Sequence, residues 1–155
     1  MAKTKHVRLG LSVAVALLMG LLVALPVSAA GRSLEVQAFN FGFEGIPTRL
    51  AAGTYAVSFA NDNDIYSHEL LAAKLAPGHE NVTRDEAITC VDNVVFKNNF
   101  DCFAGAQFVT IASPDTVAQG SLTLEPGKYL YLCGIPDRNG HPHYQLGMLR
   151  FLSVS

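Results

Sequence analysis

An all-β sandwich of two sheets is what this sequence predicts, and three observations carry the expectation. Short runs place apolar side chains at every second position, turn residues separate those runs, and little amphipathic helix lies between them. The chain has 155 residues, 50% hydrophobic and 15% charged, with no Trp. That is too short for several domains and too apolar for disorder, so one compact domain is expected. Six or seven short strands can be read directly, and about seven or eight are expected in the complete sandwich.

The first 29 residues stand apart from that domain. Lys3, Lys5 and Arg8 precede an apolar run from Leu9 to Leu25, then Pro26 and the small-residue tripeptide Val27-Ser28-Ala29. This order reads as a secretory signal peptide cleaved near Ala29, with a domain over residues 30–155. An uncleaved anchor is the alternative, since about 20 apolar residues suffice to span a bilayer. Either way the domain is expected in the periplasm or outside the cell. Cleavage removes three of the 11 basic residues and none of the 13 acidic ones, moving the formal charge from −2 to −5. A mildly acidic chain without a basic run has no electrostatic footprint for nucleic acid or anionic lipid, and neither is expected as a partner.

Within the domain, Ser33 to Phe43 alternates through Leu34, Val36 and Ala38, then slips to Phe39, Phe41 and Phe43. A strand with a bulge near Ala38–Phe39 is expected. Thr54 to Ala60 sets Tyr55, Val57 and Phe59 on one face of a second strand. The loop Asn61-Asp62-Asn63-Asp64 follows, then a third strand from Ser67 to Leu75 with His68 near its start. The pattern weakens from Pro77 to Pro114, read as an insertion with a partly strand-like run from Phe100 to Ile111. Thr83 and Glu86 have the spacing of a capping box for a short helix. Ser121–Leu124 and Lys128–Cys133 are strand-like runs joined through Glu125-Pro126-Gly127 by a hairpin-type connection, and Met148 to Val154 is the last strand.

Three cysteines in an exported chain leave one without an intramolecular partner. Cys90 and Cys102, 12 positions apart, are the natural pair, stapling the insertion. Closing such a loop contributes roughly 3 kcal/mol in the chain-entropy view. Cys133 is then a free thiol, and a buried small hydrophobe is the ordinary fate of such a residue. Its neighbours argue otherwise. The stretch Cys133 to Met148 contains a thiol, the imidazoles of His141 and His143, and a thioether, and a further imidazole, His68, heads a strand. Soft thiolate, two imidazoles and a weak thioether form the ligand set of a blue-copper electron-transfer site, because thiolate and thioether suit Cu(I) while imidazole also suits Cu(II).

These residues resemble those of the cupredoxins, most of all the plastocyanin and amicyanin group. Gly127-Lys128-Tyr129-Leu130-Tyr131-Leu132-Cys133 matches the family's Gly-x-Tyr-x-x-x-Cys strand, and His143-x-x-x-Gly147-Met148 matches its closing motif. Phe59-Ala60-Asn61 leading to His68 matches the approach to its first histidine. The likeness covers roughly residues 34–75 and 121–155. It implies a two-sheet Greek-key sandwich and one type 1 copper ion, held by His68, Cys133 and His143 with Met148 as axial ligand. It also implies that Asn61 ties the His68 loop to the Cys133 strand. The family separates its Cys from the second His by two to four residues. Here nine intervene before His143 and seven before His141, which leaves His141 as the alternative ligand.

A monomeric one-electron carrier follows, docking transiently on redox partner proteins through an apolar rim of Ile135, Pro136, Pro142 and Leu146, with electrons passing through a partly exposed His143. Copper storage or delivery is the second reading, disfavoured because Met148 is the only methionine beyond the signal segment. A metal-free sandwich for adhesion or ligand binding is the third. Enzymatic readings find little support: four histidines beyond the signal segment are too few for a multicopper oxidase, a single free Cys is unlike closed zinc sites, and no Gly-x-Ser-x-Gly elbow occurs. His79 is expected in solvent, and Asn81-Val82-Thr83 is a glycosylation acceptor only in a host that modifies exported chains.

Overall fold

A computed structural model describes residues 31–155, so the expected signal segment lies outside it. Nine strands form two mixed sheets. In the first, β1 (Arg32–Phe39) runs parallel to β4 (Gly53–Asn61), with β2 (Gly42–Glu44) and β7 (Thr116–Leu124) at the edges, both antiparallel to their neighbours. In the second, β3 (Arg49–Leu50), β9 (Leu149–Val154), β8 (Gly127–Leu132), β5 (His68–Leu75) and β6 (Phe103–Ala112) lie side by side in that order. The β3–β9 pair is parallel and the other pairs are antiparallel. The inner faces meet in one core, where Leu34, Val36, Val57 and Phe59 of the first sheet pack with Leu70, Tyr129, Tyr131 and Leu152 of the second. Among the described residues no helix is long and apolar enough to cross a membrane.

The sandwich stands as expected, with four departures of detail. The slip at Ala38–Phe39 is a reversal, not a bulge: Asn40 takes a left-handed conformation (φ 44°) and the chain folds back so that β2 pairs with β1. Glu125-Pro126-Gly127 is not a hairpin turn, because β7 belongs to the first sheet and β8 to the second, so this segment carries the chain across the core. The insertion is smaller than residues 77–114, since β6 is a full member of the second sheet, paired along β5. Only residues 76–102 leave the sandwich.

The fourth departure is the helix α1 (Arg84–Lys97), 14 residues long rather than short. Its start was legible: Thr83 caps it, with Glu86 N–H donating to the Thr83 hydroxyl and Thr83 N–H donating to the Glu86 carboxylate. Its length was not, because Ile88, Val91, Val94 and Val95 are weak helix formers; packing holds Ile88 and Val91, while Val95 stays exposed. Ala87 and Val91 bury against Leu130, Leu132 and Leu149 on the outer face of the second sheet. Strand β8 is therefore covered on both sides, its tyrosines toward the core and its leucines toward α1. That explains a Tyr-Leu-Tyr-Leu run without polar alternation. A disulfide joins Cys90 of α1 to Cys102.

Candidate metal centre

Three elements end at one point between the sheets. His68 opens β5, Cys133 directly follows β8, and His143 opens a one-turn helix, α2 (His143–Leu146). Side-chain alternation aims Cys133 inward with Tyr129 and Tyr131, and His68 inward with Leu70. All three residues are fully buried. The two Nδ1 atoms are 3.1 Å apart, and Cys133 Sγ lies 3.4 Å from His143 Nδ1 and 3.9 Å from His68 Nδ1. A triangle with these edges has a circumscribed radius of about 2.0 Å. Imidazole nitrogen and thiolate sulfur keep about 2.0–2.1 Å and about 2.3 Å from an ion such as zinc.

The chemistry of the cluster agrees with its dimensions. Two ring nitrogens and a sulfur aimed at one point repel through their lone pairs unless a proton or cation is shared among them. Among the described residues neither His68 Nε2 nor His143 Nε2 has a hydrogen-bond partner. Burial, and then the neighbouring His143, lowers the His68 pKa to about 4; burial also lowers that of His143. Burial pushes the Cys133 thiol up to about 11. At neutral pH the site thus presents two neutral imidazoles and a thiol that a metal must deprotonate.

Backbone bonds fix the loop that supplies His143 and Met148. Cys133 N–H donates to Met148 O (3.2 Å), Met148 N–H to His143 O (2.9 Å), Tyr144 N–H to Cys133 O (2.9 Å) and His143 N–H to Ile135 O (2.9 Å). Pro142, at φ −62° and ψ 140°, leads into α2. Met148 is fully buried in the same core cluster as Cys133. Gly147 sits at φ +143°, and a Cβ there would come within 2.4 Å of Phe41 O, so only glycine lets the Phe41 backbone lie this close. The Phe41 and Tyr66 rings then pack on the His143 ring at 5.0 and 5.4 Å between centroids.

Further groups buttress these segments, and periodicity or spacing does not reveal them. Asp92 of α1 accepts hydrogen bonds from the Tyr144 hydroxyl (2.6 Å) and the Gln145 amide (2.8 Å), tying α2 to the helix. Glu69 N–H donates to Cys133 Sγ at 3.4 Å, and Glu69 Oε1 accepts from Gly134 N–H at 2.8 Å. The one signal for Glu69 was its place directly after the first candidate ligand.

Of the two candidate histidines, the structure brings His143 to the cluster and leaves His141 outside. His141 is exposed beside Asp137 at 3.7 Å, and the loop closes on itself, with Asp137 accepting from the Asn139 and His141 N–H groups. Asn61 does not reach the Cys133 strand. Its Nδ2 donates to Tyr66 O (2.9 Å) and Ala112 O (3.1 Å), because β6 and β8 flank β5 on opposite sides and Asn61 ends its strand on the β6 side. The expected partial exposure of His143 is also overturned, since Phe41 and Tyr66 pack against it and no surface remains. Of the four expected rim residues, Pro136 and Leu146 are exposed, Ile135 is half-buried and Pro142 is buried. His79 is half-buried against the Cys90–Cys102 pair, whose sulfurs are already bonded to each other.

No family model matches the sequence, and no curated protein matches it either. Solved structures do. Auracyanin A, described as a "blue" copper protein from the green thermophilic photosynthetic bacterium Chloroflexus aurantiacus, aligns over 79% of this chain and 98% of its own, at 19% identity and a TM-score of 0.52. Dithionite-reduced auracyanin from Roseiflexus castenholzii aligns over 81% and 98%, at 19% identity and a TM-score of 0.49. An azurin from Methylomonas sp. strain J aligns over 81% and 99%, at 13% identity and a TM-score of 0.45. With the two-sheet topology and the first of these likenesses together, the chain has the cupredoxin fold, with a His/Cys/His/Met group at one end of the sandwich.

Proposed function

We propose that this chain is an exported type 1 copper protein that carries single electrons. The observation that carries the reading is the convergence of His68 Nδ1, His143 Nδ1 and Cys133 Sγ within 3.9 Å of one another, beside a buried Met148. Bound copper supplies a Cu(I)/Cu(II) couple, and this donor set suits both states. The chain's part is to hold three ligands on elements fixed by backbone bonds and to exclude water. With all three ligands sealed from solvent there is no open coordination position for a substrate, so no catalysis is assigned. Delivery to another protein has less support, because no ligand is within a partner's reach. The disulfide and the signal-like segment support export, and the auracyanin likeness supports the blue-copper class.

Titrating the purified protein with Cu(II) tests the reading by visible and paramagnetic-resonance spectra. One equivalent should develop an intense blue thiolate-to-copper band, and a colourless protein at one equivalent overturns it. Uptake should also release one proton per ion at pH 7, from the Cys133 thiol, since both histidines are already neutral there. The thiol stays protonated up to about pH 11, so apparent affinity should climb with pH by about tenfold per unit between pH 7 and 9. Calorimetry in buffers of different ionisation enthalpy reads the proton count. Met148→Leu should keep the colour and raise the reduction potential, because the axial donor is among the groups that set it. An unchanged potential argues against axial ligation.

A further inference from the structure

We infer that the space between α1 and the outer face of the second sheet is a binding site for a neutral, hydrocarbon-rich small molecule a few rings in size. The site is a property of the protein alone and does not depend on the copper reading. A cavity of about 510 Å³ lies there, with Val91, Val94 and Val95 of α1 on one side and Leu71, Ala73 and Ala106 of β5 and β6 on the other. Its origin is in the sequence. Ala73 and Ala106 are cross-strand partners, and Ala104 lies two positions along on the same face, so the sheet presents small side chains beneath the helix. The first half of α1 reaches the sheet cluster through Ala87 and Val91; beyond them the alanines leave a gap. The helix is not free to settle into that gap. The Arg84 guanidinium donates to Leu149 O (3.1 Å), Asp92 accepts from the Tyr144 hydroxyl (2.6 Å), and Cys90 is bonded to Cys102. The cavity is therefore preformed, and a ligand need not order it first.

The lining selects the occupant. None of the side chains lining the cavity carries a formal charge, and the one polar side-chain group among them, the Tyr144 hydroxyl, is already bonded to Asp92. A charged ligand would lose its hydration there and gain no partner. At the mouth, Val95 and Phe100 are 53% and 56% exposed, apolar area that a neutral ligand would cover. An apolar cavity of about 150 Å³ holds one benzene ring, so the larger volume here suits about two or three rings. A concave, apolar site of this size fits a small molecule better than the flat face of a protein.

N-phenyl-1-naphthylamine, a neutral fluorophore that brightens in apolar surroundings, tests the inference against 8-anilinonaphthalene-1-sulfonate, which has the same rings and a negative charge. The purified metal-free protein should bind the neutral probe saturably, one per chain, and about tenfold or more tightly than the sulfonate. Ala106→Leu fills the cavity from an exposed strand position and should weaken the neutral probe by about tenfold while the melting temperature stays within a few degrees. Val95→Glu, which sets a charge at the mouth on an exposed helix position, should weaken it in the same sense. Absence of saturable binding, equal affinity for the two probes, or undiminished binding in both variants overturns the inference. So does a protein that sediments as a dimer and excludes the neutral probe, which would give this face to a second copy of the chain.

Discussion

Cys133→Ser should yield a folded protein that never turns blue. The exchange is nearly isosteric at a fully buried position, and His143 Nδ1, 3.4 Å from the sulfur, can accept from the hydroxyl after a small side-chain shift, which offsets part of the cost of burying it. The sandwich core does not depend on the sulfur, and the melting temperature should move by a few degrees at most. The metal chemistry should vanish. A hydroxyl at neutral pH is neither a soft nor an anionic ligand, so the charge-transfer band disappears. Affinity for copper should fall by well over the 10–100-fold typical of losing an outer-shell partner. Visible absorbance and circular dichroism on the same sample check both halves, and a variant that remains blue removes Cys133 from the site.

His143→Ala and His141→Ala should behave in opposite ways although the two residues are one apart from adjacent. The first deletes a fully buried ring packed between Phe41, Tyr66 and His68, abolishing the blue band and destabilising the protein by about 2–4 kcal/mol as a large-to-small core change. The second removes an exposed side chain whose one charged neighbour is Asp137, and colour, potential and stability should stay within about 0.5 kcal/mol of wild type. The two proteins can be compared in one copper titration and one denaturant series. The reverse outcome would place the ligand at His141 and require the loop around Asp137 to rearrange.

The contrast shows where sequence reasoning reaches. Strand β4 is legible because it has one face in the core and one toward solvent, so period two survives; β5 and β9 keep it only in part, since Leu75 and Leu149 also bury under α1. Strand β8 hides its period, since α1 covers the face that would otherwise be polar. Parallel pairing of β1 with β4 is invisible to periodicity, and so is the jump from one sheet to the other at Pro126. At the site, residue type and order pick out His68, Cys133, His143 and Met148 as candidates that fall together. Spacing alone cannot choose His143 over His141, because the choice depends on which ring the loop turns inward. Glu69 and Asp92 escape for another reason: each acts through a bond to a residue far away in sequence, and only the register of β5 against β8, or the docking of α1, reveals the pairing.

Asp92 has a consequence for anyone who would move this centre elsewhere. The nine residues between Cys133 and His143 look like a portable loop, yet the turn at its far end is moored to a helix contributed by a different part of the chain, itself pinned by a disulfide. Grafted alone into another sandwich, the loop would arrive without its anchor and its imidazole would wander. A transplant that works must carry residues 76–102 with it.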